Sequence, residues 1–359
     1  MLEEPLNIVV RAPNWLGDAV MALPTFAALR ERYPGARIAA AARAHLADVF
    51  AACPAIDEVI PVPRGAFALA RHAWGLRARR FDLGILLTNS FATAAWLRLT
   101  GARERVGYAR DGRWFLLTRA EPATPEILAA HQAEYYFALL RGCGINGPLG
   151  RPRLAATEEA QKEAAAWLAA QGLTGRRYAV VAPCSAFGPV KDWPPERYAE
   201  VALALARDHG LDVLVTGTPA QREIIARVCA PGAALTGAGG TPAAQATETR
   251  AASVHNAAGA VSLRGLFALI ADAAVFVGGD SGAAHAAAAL GTPTVVIFGI
   301  TEPSRTRPLG DDAIIRVIGE GGMETPDLHS PAVAAAARRA LEAIAPATVL
   351  NAATEIMRS

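Results

Sequence analysis

Short apolar runs alternate along the chain with longer stretches in which apolar positions recur every three or four residues. The short runs have the length of strands buried on both faces, and the longer ones have the period of helices packed against them. In the first half they predict strands at Asn7–Arg11, Arg37–Ala41, Glu58–Pro61 and Leu83–Leu87, with helical runs over Thr25–Tyr33 and Phe67–Arg80. Pro24 suits the first turn of its helix. The second half restarts the pattern, with strands expected at Tyr178–Ala182, Asp212–Thr216, Val275–Gly278, Thr294–Phe298 and Ile314–Ile318. Helices are expected at Pro194–His209, Pro219–Cys229, Leu263–Ala273 and Gly282–Leu290, and over most of Pro331–Met357. Gly237–Arg250, rich in Gly, Ala and Thr, reads as a loop or insertion. This alternation is the signature of an α/β fold with parallel sheets.

A polar helical stretch, Glu158–Gln171, ends at Gly172 and is followed by Gly175-Arg176-Arg177, which makes it the best linker candidate. The chain is 359 residues long, a length that suits two domains. They are expected at 1–172 and 173–359, with the last helix packing back on the first domain. Two such halves predict a ligand site at the carboxyl ends of their strands, in the cleft between them.

Hydrophobic residues make up 52% of the chain, enough for two cores. No run of about 18 apolar residues occurs, so no transmembrane helix is expected. The opening Met1-Leu2-Glu3-Glu4-Pro5 lacks an apolar stretch, so no secretory leader is expected either. Four separate cysteines without a CxxC pair offer no zinc spacing and suit a reducing compartment. The net charge of +2 divides into +6 over residues 1–153 and −4 over the remainder. The basic half favours an anionic partner or membrane surface, although a solvated mixed-charge surface gives the same balance. Only two of the 35 basic residues are lysine, Lys162 and Lys191. A lysine in such a background marks a place for a compact ammonium where a guanidinium fork does not fit.

Three motifs could carry chemistry. Arg11-Ala12-Pro13-Asn14-Trp15-Leu16-Gly17-Asp18 runs on from the first strand and puts a carboxylate at the mouth of the sheet, as a general base or as a helix cap. Cys184-Ser185-Ala186-Phe187-Gly188-Pro189-Val190-Lys191-Asp192-Trp193-Pro194 follows the first strand of the second half. There Lys191 either neutralises phosphate or is a solvated loop charge, and Trp193 reads as core. Gly278-Gly279-Asp280-Ser281-Gly282-Ala283-Ala284-His285 is a strand, a glycine turn and a helix start, a backbone-amide cradle for phosphate. In it Asp280 faces sugar hydroxyls or caps the helix, and His285 lies one turn in. Gly237-Ala238-Gly239-Gly240 does not fit a dinucleotide fingerprint, and no Walker lysine, HExxH or GxSxG occurs. The scattered aromatics argue against a nucleic-acid partner.

In their order and separations these motifs resemble the ADP-heptose:lipopolysaccharide heptosyltransferases, glycosyltransferase family 9, and most of all its type II members. The likeness covers about residues 7–310 and is most specific in Asp280-Ser281-Gly282…His285 and Phe298-Gly299…Pro303. It implies a GT-B fold of two Rossmann-like domains whose parallel sheets face across a cleft. The acceptor would bind the first domain and the nucleotide sugar the second, with inversion at the anomeric carbon and no tightly bound metal or cofactor. By resemblance Asp18 is the catalytic base, and Lys191 meets the donor diphosphate. Asp280 meets the heptose, and Ser281, Gly282 and His285 lie against phosphate. Thr218 and Gln221 complete the donor side, and Asn14, Arg64, Asn89 and Ser90 are the candidate acceptor contacts. The implied partners are an ADP-heptose-like donor, an anionic glycolipid and the inner membrane, touched peripherally from the cytoplasm.

The chain departs from the family pattern in three places. Cys184-Ser185-Ala186 stands where Gly-Ala-Glu is common, Gln221 stands near an expected acid, and Gly321–Pro331 lacks a cysteine-containing segment. Two rival readings are transfer to a protein or another polysaccharide, and a non-catalytic nucleotide-sugar binder.

Overall fold

The computed structural model describes residues 7–235, 251–322 and 330–358. The loop expected over Gly237–Arg250 and most of Gly321–Pro331 lie outside the described residues. The chain divides into two compact units, one reaching to Ala155 with Ser304–Thr306 added, the other made of 156–303 and 307–359.

The first unit holds β1 (Asn7–Arg11), β2 (Arg37–Ala42), β3 (Glu58–Pro61), β4 (Leu83–Leu86), β5 (Glu104–Tyr108) and β6 (Arg119–Glu121). They form one sheet in the order β3-β2-β1-β4-β5-β6, with every pair parallel. Val9 of β1 sits between Ala39 of β2 and Gly84 of β4. The second unit holds β7 (Tyr178–Ala182), β8 (Asp212–Val215), β9 (Val254–Asn256), β10 (Val275–Gly279), β11 (Thr294–Ile297) and β12 (Ile315–Ile318). Its sheet, also parallel throughout, runs β12-β11-β10-β7-β8-β9. Counted from its own first strand, this is the same order as in the first unit. Both are the Rossmann arrangement 3-2-1-4-5-6, with a switch point beside the first strand.

Central strands are buried along their whole length, as in Leu83–Leu86 and Tyr178–Ala182, because helices cover both faces. Edge strands are not, and two of the strands that the apolar pattern missed lie there, whereas a third, Glu104–Tyr108, is interior and opens on the polar pair Glu104-Arg105. Arg119-Ala120-Glu121 and Val254-His255-Asn256 pair as strands but carry almost no apolar signal. Helices match their expected positions closely, for example Leu23–Arg32, Pro195–His209 and Gly282–Leu290.

The linker expectation changes. The polar helix taken for a linker, Glu158–Ala170, is built into the second unit. Thr157 caps it, Ala160 and Ala164 are buried among Leu269 and Ala268, and Glu163 accepts bonds from the Ser262 N–H and hydroxyl at 2.6 and 2.7 Å. The last helix, Pro346–Ile356, is built into the second unit. Val349, Ala352, Ala353 and Ile356 are buried in the core of the second unit with Val295 and Ile297, since its apolar stripe has the right period for that sheet.

Trp193 is fully buried, as its core reading expects. Its ring meets Tyr198 edge-on at 5.0 Å, and its Nε1 donates to the carbonyls of Leu341 and Ile344 at 3.1 and 3.3 Å. Trp193→Ala is expected to lower the unfolding free energy by about 3–5 kcal/mol, the usual loss for a buried aromatic. Urea denaturation followed by circular dichroism checks this, and a loss below about 1 kcal/mol would show the site to be loosely packed.

Candidate active site

The switch point of the first unit lies between β1 and β4, whose following segments diverge. β1 leads to Ala12–Trp15 and the short helix Leu16–Met21, while β4 leads to Leu87–Ser90 and the helix Phe91–Leu99. Arg11, the last residue of β1, is buried. Its guanidinium donates to the carbonyls of Ala12 and Ala41 at 2.5 and 3.2 Å, and to Asn14 Oδ1 at 3.0 Å. Burial, helped by the neighbouring charge of Arg43, brings its pKa down to about 10. Arg43 is in turn lowered by burial and by Arg64. Arg11 ends β1, and Arg43 and Arg64 follow β2 and β3, so the three form a cationic row along the carboxyl edge of the sheet.

Asp18 lies in the first turn of Leu16–Met21, not at its cap; the capping position is Trp15, whose side chain makes no cap bond. Asp18 Oδ1 accepts a hydrogen bond from the Tyr136 hydroxyl at 2.8 Å. Tyr136 is buried, and burial together with the Asp18 charge holds its phenol far above the ordinary range. It therefore remains a donor at any physiological pH.

The adjacent Tyr135 serves the other loop. Its hydroxyl donates to Asn89 Oδ1 at 3.0 Å, and Arg113 donates to the same oxygen at 3.0 Å. Arg113 is fully buried, which lowers its pKa, and it also binds the carbonyls of Thr88 and Tyr108. Ser90 caps Phe91–Leu99 by accepting from the Thr93 N–H. Thus Asn14, Asp18, Asn89 and Ser90 gather around one switch point, and Arg64 stands farther along the same edge. Arg11 belongs to the first motif without a role assigned from sequence, and Arg113, Tyr135 and Tyr136 were not singled out at all. Two successive tyrosines in a helical stretch were the available signal.

In the second unit the switch point lies between β7 and β10. Lys191, from the segment after β7, and Asp280, which follows β10, form an ion pair at 2.5 Å. Both side chains are largely buried, and Lys191 Nζ lies 5.1 Å from the centre of the Phe187 ring. Thr301, beyond β11, donates to Asp280 Oδ2 at 2.8 Å and was also missed. Gly279 permits this closeness, because a Cβ there would lie 3.3 Å from the Lys191 carbonyl oxygen. Ser281 and Gly282 open the helix Gly282–Leu290, with His285 buried one turn in, and the Ser281 hydroxyl is buried without a hydrogen-bond partner among the described residues. Thr218 and Gln221 follow β8. The Gln221 amide accepts from the Thr218 N–H at 2.9 Å and donates to the Ser185 carbonyl at 3.3 Å. It ties two loops together where the family pattern expects an acid. The other lysine, Lys162, pairs with Glu158 on an exposed helix face.

The sequence profile of Glycosyltransferase family 9 (heptosyltransferase) matches residues 69–333. Lipopolysaccharide heptosyltransferase 2 of Escherichia coli K12 is 31% identical over 327 residues, which cover 87% of this chain and 88% of that protein. The chain belongs to glycosyltransferase family 9. Among solved structures, the E. coli ADP-heptose LPS heptosyltransferase II superposes with a TM-score of 0.78 at 28% identity, covering 98% of each chain. The family 9 glycosyl transferase of Veillonella parvula DSM 2008 shares the fold, with a TM-score of 0.82 at 22% identity over 100% of this chain and 98% of that one. This glycosyltransferase is therefore an enzyme of the GT-B class with two Rossmann-like domains. None of its described helices is long and apolar enough to cross a membrane.

Next to Lys191, the Asp192 carboxylate accepts the Ser185 N–H at 2.6 Å. Burial nevertheless pushes its pKa up to about 6. The folded glycosyltransferase thus holds this proton more tightly than the unfolded chain does. The stability it contributes is complete below about pH 4 and is lost as pH rises to about 6. Thermal melts across that window are expected to show this decline, and Asp192→Asn is expected to flatten it. An unchanged slope in the variant would assign the decline to other groups.

Proposed function

We propose that this glycosyltransferase moves heptose from an ADP-heptose donor to an inner-core lipopolysaccharide acceptor, with inversion at the anomeric carbon. The observation that carries the reading is a carboxylate, Asp18, oriented by a buried phenol at the switch point of a family 9 chain. The names of its relatives supply the donor and the acceptor class.

In this reading Asp18 takes the proton of the acceptor hydroxyl as its oxygen attacks the anomeric carbon. The bond from that carbon to the diphosphate breaks, and ADP leaves with the electron pair. Lys191 and the backbone N–H groups of Ser281 and Gly282 meet the charge that develops on it, where it lowers the barrier most. Lys191 already holds Asp280, so donor binding brings phosphate oxygens and sugar hydroxyls into an existing pair rather than to a bare cation. Asp280 with Thr301 receives the heptose hydroxyls, His285 backs the phosphate turn, and Thr218 and Gln221 border the nucleotide. Asn14, Asn89 and Ser90 contact the acceptor sugar, and the row ending in Arg64 draws its anionic groups. The acceptor is anchored in lipid, so the enzyme works at the cytoplasmic face of the inner membrane.

Transfer from ADP-heptose to heptose-deficient lipopolysaccharide, with the product's anomeric configuration read by NMR, tests the reaction itself. Asp18→Asn is expected to keep the fold and donor affinity but to lower kcat by about 10²–10⁴-fold. Near-normal turnover would remove Asp18 from the role of base. Tyr136→Phe is expected to lower kcat by about tenfold at unchanged KM, and to add nothing in an Asp18→Asn background. Additive losses would mean that Tyr136 does not act through Asp18.

Lys191→Arg is expected to weaken donor binding or turnover by at least about tenfold, because a guanidinium does not fit between Asp280 and Phe187. Lys162→Arg, on its exposed helix, is expected to be silent. Equal kinetics for Lys191→Arg and the parent would leave the phosphate to the Ser281–Gly282 amides.

A further inference from the structure

The helix Ala66–Gly75 of the first unit carries two apolar stripes, and the core of that unit uses only one. Ala73 is buried, Leu69 packs against the core, and Leu76 is buried just past the helix. His72 on the same face stacks on Trp96 at 6.1 Å and accepts its indole N–H at 3.2 Å. The opposite stripe runs Phe67, Ala70, Arg71, Trp74, again at helical spacing. All four are exposed, Phe67 by 84% and Trp74 by 64%. Two large aromatics two turns apart on one solvent face are unusual for a helix that is otherwise well packed.

The charges around this stripe have one sign. Residues 59–81 contain five arginines (Arg64, Arg71, Arg77, Arg79 and Arg80) and no acid. Arg79 is paired with Glu58 at 2.5 Å, and the Arg77 guanidinium lies 4.7 Å from the centre of the Trp74 ring. Among the described residues no carboxylate pairs with Arg64, Arg71, Arg77 or Arg80. A face of indole, phenyl and guanidinium groups suits the headgroup layer of a bilayer, where the rings enter the acyl boundary and the cations meet lipid phosphate. A second copy would set arginine against arginine.

We propose that helix Ala66–Gly75 docks the first unit on an anionic bilayer through Phe67, Trp74 and the surrounding arginines. The proposal deepens the reading of a lipid-linked acceptor, yet its test contains no acceptor, so the two can fail separately. The full-length protein is sedimented with vesicles of phosphatidylglycerol and phosphatidylethanolamine, and with vesicles of phosphatidylcholine alone. Binding is expected to the anionic vesicles only, and to weaken as salt rises. Phe67→Ser/Trp74→Ser and, separately, Arg71→Gln/Arg77→Gln are each expected to lower the partition coefficient by at least about tenfold. Circular dichroism of both variants is expected to match the parent, since all four side chains lie at the surface. The proposal is overturned if the parent ignores anionic vesicles, binds phosphatidylcholine equally well, or partitions like either variant. It is also overturned if the aromatic pair instead mediates a dimer that Phe67→Ser/Trp74→Ser dissolves.

Discussion

Parallel pairing is the constraint from which the rest of this structure follows. A parallel strand cannot return through a tight turn, so each connection must cross a face of the sheet, and its handedness is fixed. Every strand then points its carboxyl end the same way. Connections from the first strand of each unit and from the strand beside it lead away on opposite faces, and a gap opens between them. Both units use the same strand order, so each has one such gap. The polar centres of the two switch points stand at those carboxyl ends, although they come from segments far apart in the chain. Asp280 is 89 residues from Lys191, and Tyr136 is 118 from Asp18.

The two gaps are furnished differently. In the first unit, neutral phenols and buried arginines fix the loops, so the carboxylate of Asp18 is held by a group that does not itself ionise. In the second, a lysine and an aspartate hold each other in a largely buried place. A buried ion pair is weak evidence for stability, because desolvation offsets much of the attraction. Its presence here makes more sense as preorganisation, with both charges positioned before a ligand arrives.

How far the sequence could be read followed the physics of burial. Strands such as Tyr178–Ala182 and Leu83–Leu86 are covered on both faces, so their composition alone announced them. Arg119–Glu121 and Val254–Asn256 lie at sheet edges, where backbone pairing suffices and polar side chains are allowed, and they passed unnoticed. Residues of the motifs could be named because each follows a strand end directly. Tyr135, Tyr136, Arg113 and Thr301 could not, because their contacts join segments between 21 and 118 residues apart and leave no local period. The helix Glu158–Ala170 was misread for a related reason. Its buried face is alanine, which looks polar in company with glutamate and yet packs well against another helix.

Trp193 has a consequence for how the enzyme is made. It stands two residues from Lys191, and its indole is held by carbonyls of Leu341 and Ile344; Arg197 reaches the Ile344 carbonyl as well. The helix Pro346–Ile356 then closes the same core. Domains generally fold as units, the earlier one first during synthesis, and nearly all of the first unit precedes the second. The loop that carries Lys191 has no such freedom, because the carbonyls that brace it lie 148 and 151 residues beyond Trp193. A nascent chain can therefore own a finished first unit and still lack a working second one.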